Sequence, residues 1–160
     1  IGIASASAIL IGNKIGAGLE EEAKKDALKI SVFGVMIGII IGIVFFVVAP
    51  LIAMLFKITP ETYQNVIVVL RIMAAALPLR FFGIVQIIGV LRGGGDVLYA
   101  IVTELVAVWC IGVPLSFLGA VYFKFPIVLV YLMVCLEEPF KVVATVPRLR
   151  SGKWIKNLIK

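Results

Sequence analysis

Leu91-Arg92-Gly93-Gly94-Gly95-Asp96 sets a charged, glycine-rich turn between two apolar helical runs, each long enough to cross a bilayer. Placed there, it marks a sharp reversal at a membrane face. A span takes roughly 20 predominantly apolar residues; outward from the turn, residues 63–91 and 97–123 meet that length, as do 28–56 and 126–147. Hydrophobic residues make up 62% of the chain and the mean hydropathy is +1.19, well above the roughly 45 to 50% apolar fraction of soluble domains. Lipid cannot satisfy backbone N–H and C=O groups, so spans are helices or a closed barrel. The continuous apolar runs lack the period-2 alternation of barrel strands, and the sequence predicts an all-α polytopic membrane protein with four full spans.

The chain opens at Ile1 in apolar sequence, with neither an initiator Met nor the basic and short apolar regions of a signal peptide. Residues 1–13 cover about half a bilayer and read as the end of a fifth span, with more chain expected upstream. Sorted by connector, Lys14, Lys24, Lys25, Lys29 and Arg92 fall on one side with the tail's Arg148, Arg150, Lys153, Lys156 and Lys160; Lys57 and Lys124 fall on the other. An excess of Lys and Arg marks the cytoplasmic side. The 92–96 turn and the 148–160 tail are therefore expected inside, in a multi-pass protein of the cytoplasmic (inner) membrane with the lipid bilayer as a partner. Span-end cations account for the formal net charge of +6, so no nucleic-acid partner is expected. Among the tail cations, Trp154 reads as an interfacial anchor to anionic headgroups.

Histidine is absent, which removes Ser-His and Cys-His catalysis and the commonest metal ligand. Cys110 and Cys135 stand alone in apolar spans, without C-x-x-C spacing. Neither glycine cluster is a phosphate cradle: Gly93-Gly94-Gly95 is not followed by G-K-[ST], and the cluster from Gly12 to Gly18 lacks G-x-G-x-x-G after a strand. Neither an enzyme activity nor a cofactor is expected. These glycines instead permit positive φ and close helix approach, and Asp96 suits the N-cap of the following span. Glu20, Glu21 and Glu22 open a helix where its dipole favours acids, with Glu20–Lys24 and Glu21–Lys25 as i,i+4 pairs. Gly34, Gly38 and Gly42 form a small-x-x-x-small ridge for helix packing.

Arg71, Arg80, Glu104, Glu137, Glu138 and Lys141 lie inside the spans, where a central charge costs on the order of 2.5 to 3.5 kcal/mol. Such groups need partners or water. At about 1.5 Å per residue, Arg80 lies about 18 Å above Arg92, Glu137 about 16 Å above Arg148 and Glu104 about 12 Å above Asp96. These overlapping depths predict a network joining Arg80 to Glu104 or to a Glu of the last span, with Lys141 one turn from Glu137 and Glu138. Two roles are open: the ions neutralise one another structurally, or one carboxylate faces an aqueous cavity where a proton or Na⁺ competes with a cationic substrate. Adjacent Glu137 and Glu138 diverge by about 100° around a helix, so at most one is expected to face such a cavity. Pro78, Pro114 and Pro139 are expected to kink their spans.

Three segments carry a resemblance in combination: Ile11-Gly12-Asn13-Lys14-Ile15-Gly16-Ala17-Gly18 with Ala23 following, the 91–96 turn two spans later, and Arg148-Leu149-Arg150-Ser151-Gly152-Lys153-Trp154. Together they resemble the multidrug and toxic compound extrusion (MATE) family, from the end of its eighth helix through its twelfth and the tail, over essentially all 160 residues. The resemblance implies the C-terminal lobe of a two-lobe, twelve-helix transporter: four full spans, the end of a fifth, and a missing N-terminal lobe of the same chain. It further implies an antiporter that exports small organic cations or drugs by alternating access, coupled to Na⁺ or H⁺. Glu104, Glu137, Glu138, Arg80 and Gln86 are then the substrate- or cation-binding candidates. Gly12, Gly16, Gly18, Arg92, Gly93, Gly95 and Asp96 form the structural or gating motif. No firm metal site is assigned, Na⁺ being the candidate ion. Two readings compete: a lipid-linked oligosaccharide flippase of related architecture, disfavoured by the excess of Glu over Arg in the last two spans, and a non-transporting membrane scaffold.

Overall fold

A computed structural model describes residues 1–156, as six helices; Lys160 of the expected tail lies outside the described residues. The helices are α1 (Gly2–Gly16), α2 (Glu20–Met54), α3 (Pro60–Leu91), α4 (Val97–Tyr122), α5 (Ile127–Cys135) and α6 (Glu137–Ser151). Among the described residues the only extended pairing is an isolated bridge between Gly95 and Ile155. Helices α2, α3 and α4 are long and apolar enough to cross a membrane. Their outer faces carry large exposed hydrophobics, with Ile43 60% and Val47 68% exposed, as befits a multi-pass protein whose surroundings are lipid. At about 1.5 Å per residue α2 is about 50 Å long, well beyond a hydrocarbon core of about 30 Å. Its acidic first turns therefore extend past the apolar run.

The glycine ridge of α2 packs inside the chain, against α3. A Cβ on Gly38 would lie 2.7 Å from Pro78 Cα, and one on Gly42 would lie 2.7 Å from the Ala74 carbonyl oxygen. On the same interface the Arg71 guanidinium sits 4.9 Å over the Phe46 ring. Helix α1 packs on the end of α3 by the same device, since a Cβ on Gly93 would meet Ala8 Cα at 2.7 Å and one on Gly89 would meet Ser7 Cβ at 2.9 Å. Ile11, Ile15, Ile87, Val90, Leu91 and Trp154 share the buried cluster that results.

Four local features depart from the sequence reading. The fourth expected span is broken at Leu136, between α5 and α6. Pro139 has no N–H to bond the Cys135 carbonyl, so the helix stops and restarts with Glu137 and Glu138 in the new first turn, where the helix dipole favours acids. Helix α3 widens to π-helical turns over Val85–Leu91, and α4 does so over Ala107–Gly112 and Leu118–Tyr122. The expected Glu20–Lys24 and Glu21–Lys25 pairs give way to Lys24–Glu21 at 2.7 Å and to Lys14, which reaches from α1 to Glu22 at 3.0 Å and Asp26 at 2.6 Å. Gly18, at φ +78°, turns the chain so that these helix ends meet. Finally, Trp154 is fully buried, not interfacial: Gly152 (φ +67°) folds the tail back, and the indole lies on Gly94, where any side chain would collide with it.

Candidate functional site: an ion cluster inside the helix bundle

A cavity of about 410 Å³ opens between α3, α4 and α6, lined by Arg80, Gly83, Glu104, Glu137, Glu138 and Lys141 among others. Each helix contributes charge at the overlapping depths that residue counting gives. From α3, Arg80 Nε donates to Glu138 Oε1 at 2.9 Å, and this glutamate side chain is 2% exposed. From α6, Lys141 Nζ stands 3.3 Å from Glu104, 3.6 Å from Glu137 and 3.9 Å from Glu138. One ammonium thus faces three carboxylates, with none at a short hydrogen-bond distance.

Small residues make room for this cluster. A Cβ on Gly112 would lie 3.0 Å from Glu137 Oε2, and one on Gly83 would lie 3.6 Å from Glu138 Oε2. Gly112 ends the first π-helical stretch of α4, so the widened helix presents its bare position to the glutamate. Both Glu137 and Glu138 line this pocket within the lobe. Lys141 lies four residues from one and three from the other, within reach of either carboxylate on the helix surface.

Of the remaining candidates, Arg92 lines the cavity with an exposed side chain. Gln86 does not join the cluster. Fully buried, it donates through Nε2 to Ser31 on α2, and its Oε1 has no hydrogen-bond partner within the protein. Among the described residues no group of three carboxylates, thiols or imidazoles is arranged to hold a metal ion; the point where the carboxylates converge is taken by Lys141.

The glycine turn forms a second charged centre, built differently. Asp96 occupies the N-cap position of α4, but its side chain does not cap the helix. Its carboxylate, 1% exposed, instead accepts from Arg148 Nε at 2.7 Å and lies 2.6 Å from Lys156 Nζ. Burial opposes ionisation there, yet the Arg148 and Lys156 contacts outweigh it and hold the carboxyl below its ordinary pKa. Arg148 also stacks 4.7 Å over the Tyr99 ring, whose hydroxyl donates to the Ala144 carbonyl at 2.8 Å. The Lys156 N–H donates to the Gly94 carbonyl at 2.8 Å, and Trp154 Nε1 donates to the Leu149 carbonyl at 3.1 Å. Of the expected motif, Gly93 and Gly95 (φ +87°) build this turn, Gly12 lies against the Gly93 carbonyl, and Gly16 ends α1.

Helices without strands among the described residues, three of them able to span a bilayer, around an internal ion cluster define a multi-pass membrane protein. The MatE family matches residues 1–118, most of the chain, and the chain belongs to that family. It is 23% identical over 155 residues to "Uncharacterized transporter YisQ" of Bacillus subtilis (strain 168), an alignment covering 97% of this chain and 34% of that protein. The chain spans about a third of that relative's length. No solved structure matches it. Glu104 and the glycine turn fall within the family match, whereas Glu137, Glu138 and Lys141 lie beyond it.

Proposed function

We propose that the chain supplies the C-terminal lobe of a cation-coupled antiporter, which exports small organic cations or drugs by alternating access in exchange for Na⁺ or H⁺. It works with an N-terminal lobe of the same chain, in the cytoplasmic membrane, with the 92–96 turn and the tail on the cytoplasmic side. The ion-paired cluster carries this reading: Arg80 and Lys141 are the two cations in contact with Glu104, Glu137 and Glu138, while Arg92, the third cation on the cavity lining, is exposed and makes no ion pair among the described residues. An uncompensated charge in a low-dielectric interior is costly, so one proton, Na⁺ or organic cation completes the cluster. Mutual exclusion at that position is the coupling, since occupancy by one cation weakens the other by the same factor. A flippase for anionic lipid-linked substrates needs a cavity rich in unmatched cations, and among the described residues Arg92 is the single lining cation outside the ion pairs.

The contacts also divide the labour. Glu138 is gripped by Arg80 at 2.9 Å and buried, which suits a positioning group. Glu104, with its side chain 43% exposed, and Glu137 touch only Lys141, at 3.3 and 3.6 Å; these loosely held carboxylates are the exchangeable pair. The test is efflux of a fluorescent organic cation per inserted molecule of full-length protein. Glu104→Gln and Glu137→Gln keep wild-type abundance and lose efflux by about tenfold, equivalent to about 1.4 kcal/mol. Glu138→Gln strands Arg80 and lowers abundance instead. Wild-type efflux per molecule in both Glu104→Gln and Glu137→Gln contradicts the proposal.

A further inference from the structure

A groove of about 280 Å³ runs between α2, α3 and α6 and shares no lining residue with the ion cavity. Leu28, Val32 and Val35 form one wall, Val146 and Leu149 the other, and Phe82 the floor. Ser31 is the one uncharged polar residue along it, and its hydroxyl is already committed to the Ala27 carbonyl. From Leu28 to Val35 the groove runs about 10 Å along α2. Its end toward the tail is cationic. Arg150 forms part of the lining and, among the described residues, has no carboxylate partner. Lys24, one helical turn before Leu28, comes close to Gly152 at the same end and is paired to Glu21 at 2.7 Å.

We infer that this groove is a binding site for one anionic phospholipid, its acyl chain lying between α2 and α6 and its phosphate on Arg150 with Lys24 alongside. Chemical complementarity at both ends selects that occupant. A mostly apolar trough along the membrane-spanning helix α2 takes a hydrocarbon chain, and a guanidinium with no carboxylate partner among the described residues takes a phosphate, which it can bind through two parallel hydrogen bonds. Zwitterionic lipids satisfy the trough but bring an ammonium to the cationic end. Free phosphate or a phosphorylated headgroup satisfies Arg150 but forfeits the trough.

Native mass spectrometry of the detergent-solubilised full-length protein tests this, with phosphatidylglycerol and phosphatidylethanolamine added in equal amounts and glycerol phosphate as the headgroup-only competitor. The wild type retains one phosphatidylglycerol in preference to phosphatidylethanolamine, and glycerol phosphate does not displace it. Arg150→Gln reduces that preference about fivefold, the effect of about 1 kcal/mol per surface cation. Val32→Trp, at a position 54% exposed, fills the trough and removes both lipids. Equal phosphatidylglycerol retention by wild type and Arg150→Gln overturns the assignment, as does retention unchanged by Val32→Trp. Displacement by glycerol phosphate overturns it in favour of a free-phosphate site.

Discussion

At the glycine turn two cations grip one carboxylate; in the cavity one ammonium is spread over three. Asp96 has Arg148 at 2.7 Å and Lys156 at 2.6 Å, whereas Lys141 keeps its carboxylates at 3.3 to 3.9 Å. Both centres are assembled from the same side-chain chemistry, carboxylates facing Lys and Arg. Their stoichiometry separates them. An excess of cation over buried carboxylate, sealed by Trp154 and the backbone contact of Lys156, makes a fastening between the tail and the α3–α4 turn. An excess of carboxylate over paired cation makes a place where another cation competes.

The sharpest way to break this contrast is to open the fastening. Trp154→Ala removes a fully buried indole and costs about 3 to 5 kcal/mol, read as a lower melting temperature of the purified full-length protein and reduced abundance in the membrane. Asp96→Asn leaves two cations without their shared acceptor, at about 1.5 to 3 kcal/mol for a hydrogen bond to a charged group. Its pH dependence follows from the depressed carboxyl pKa. The stabilisation is fully present above the ordinary carboxylate value of about 3.9, and is lost as pH falls through the lower folded value. Thermal melts should therefore show a constant gap between wild type and Asp96→Asn above about pH 3.9, narrowing as the pH falls below it. The smallest effect on stability is expected in the cavity. Gly112→Ala places a methyl 3.0 Å from Glu137 Oε2, displacing that carboxylate while leaving the stability within about 1 kcal/mol of wild type, and efflux per molecule falls severalfold. A stable Trp154→Ala and an unfolded Gly112→Ala would reverse the comparison.

Residue types and local spacing made much of this legible. Uninterrupted apolar runs give α2, α3 and α4, and the four-residue spacing of Gly34, Gly38 and Gly42 marks a packing face, though not that α3 is its partner. Depths of about 12 to 18 Å counted from the turns bring Arg80, Glu104 and the last-span glutamates within reach of one another, because helix rise is regular. What was illegible depends on chain segments distant in sequence. Asp96 reads as an N-cap because its partners Arg148 and Lys156 are more than fifty residues away. Trp154 reads as interfacial because only the folded tail brings it over Gly94. Pro139 signals a disturbance but not whether the helix bends or stops. The π-helical turns at Ala107–Gly112, which aim Gly112 at Glu137, leave no mark in hydropathy, though a lone glycine in an apolar span was a usable hint.

The central claim is that the ion-paired cluster of Arg80, Lys141, Glu104, Glu137 and Glu138 lacks one positive charge, and charge released on binding measures that most directly. Purified full-length protein is titrated with tetraphenylphosphonium, a monovalent organic cation, in weakly buffered detergent solution, while a pH indicator and a Na⁺-selective electrode follow the medium. One proton or one Na⁺ should be released per cation bound, and none from Glu104→Gln or Glu137→Gln. Binding with no proton or Na⁺ released, or release that persists unchanged in both variants, would contradict the assignment of this cluster as the exchange site.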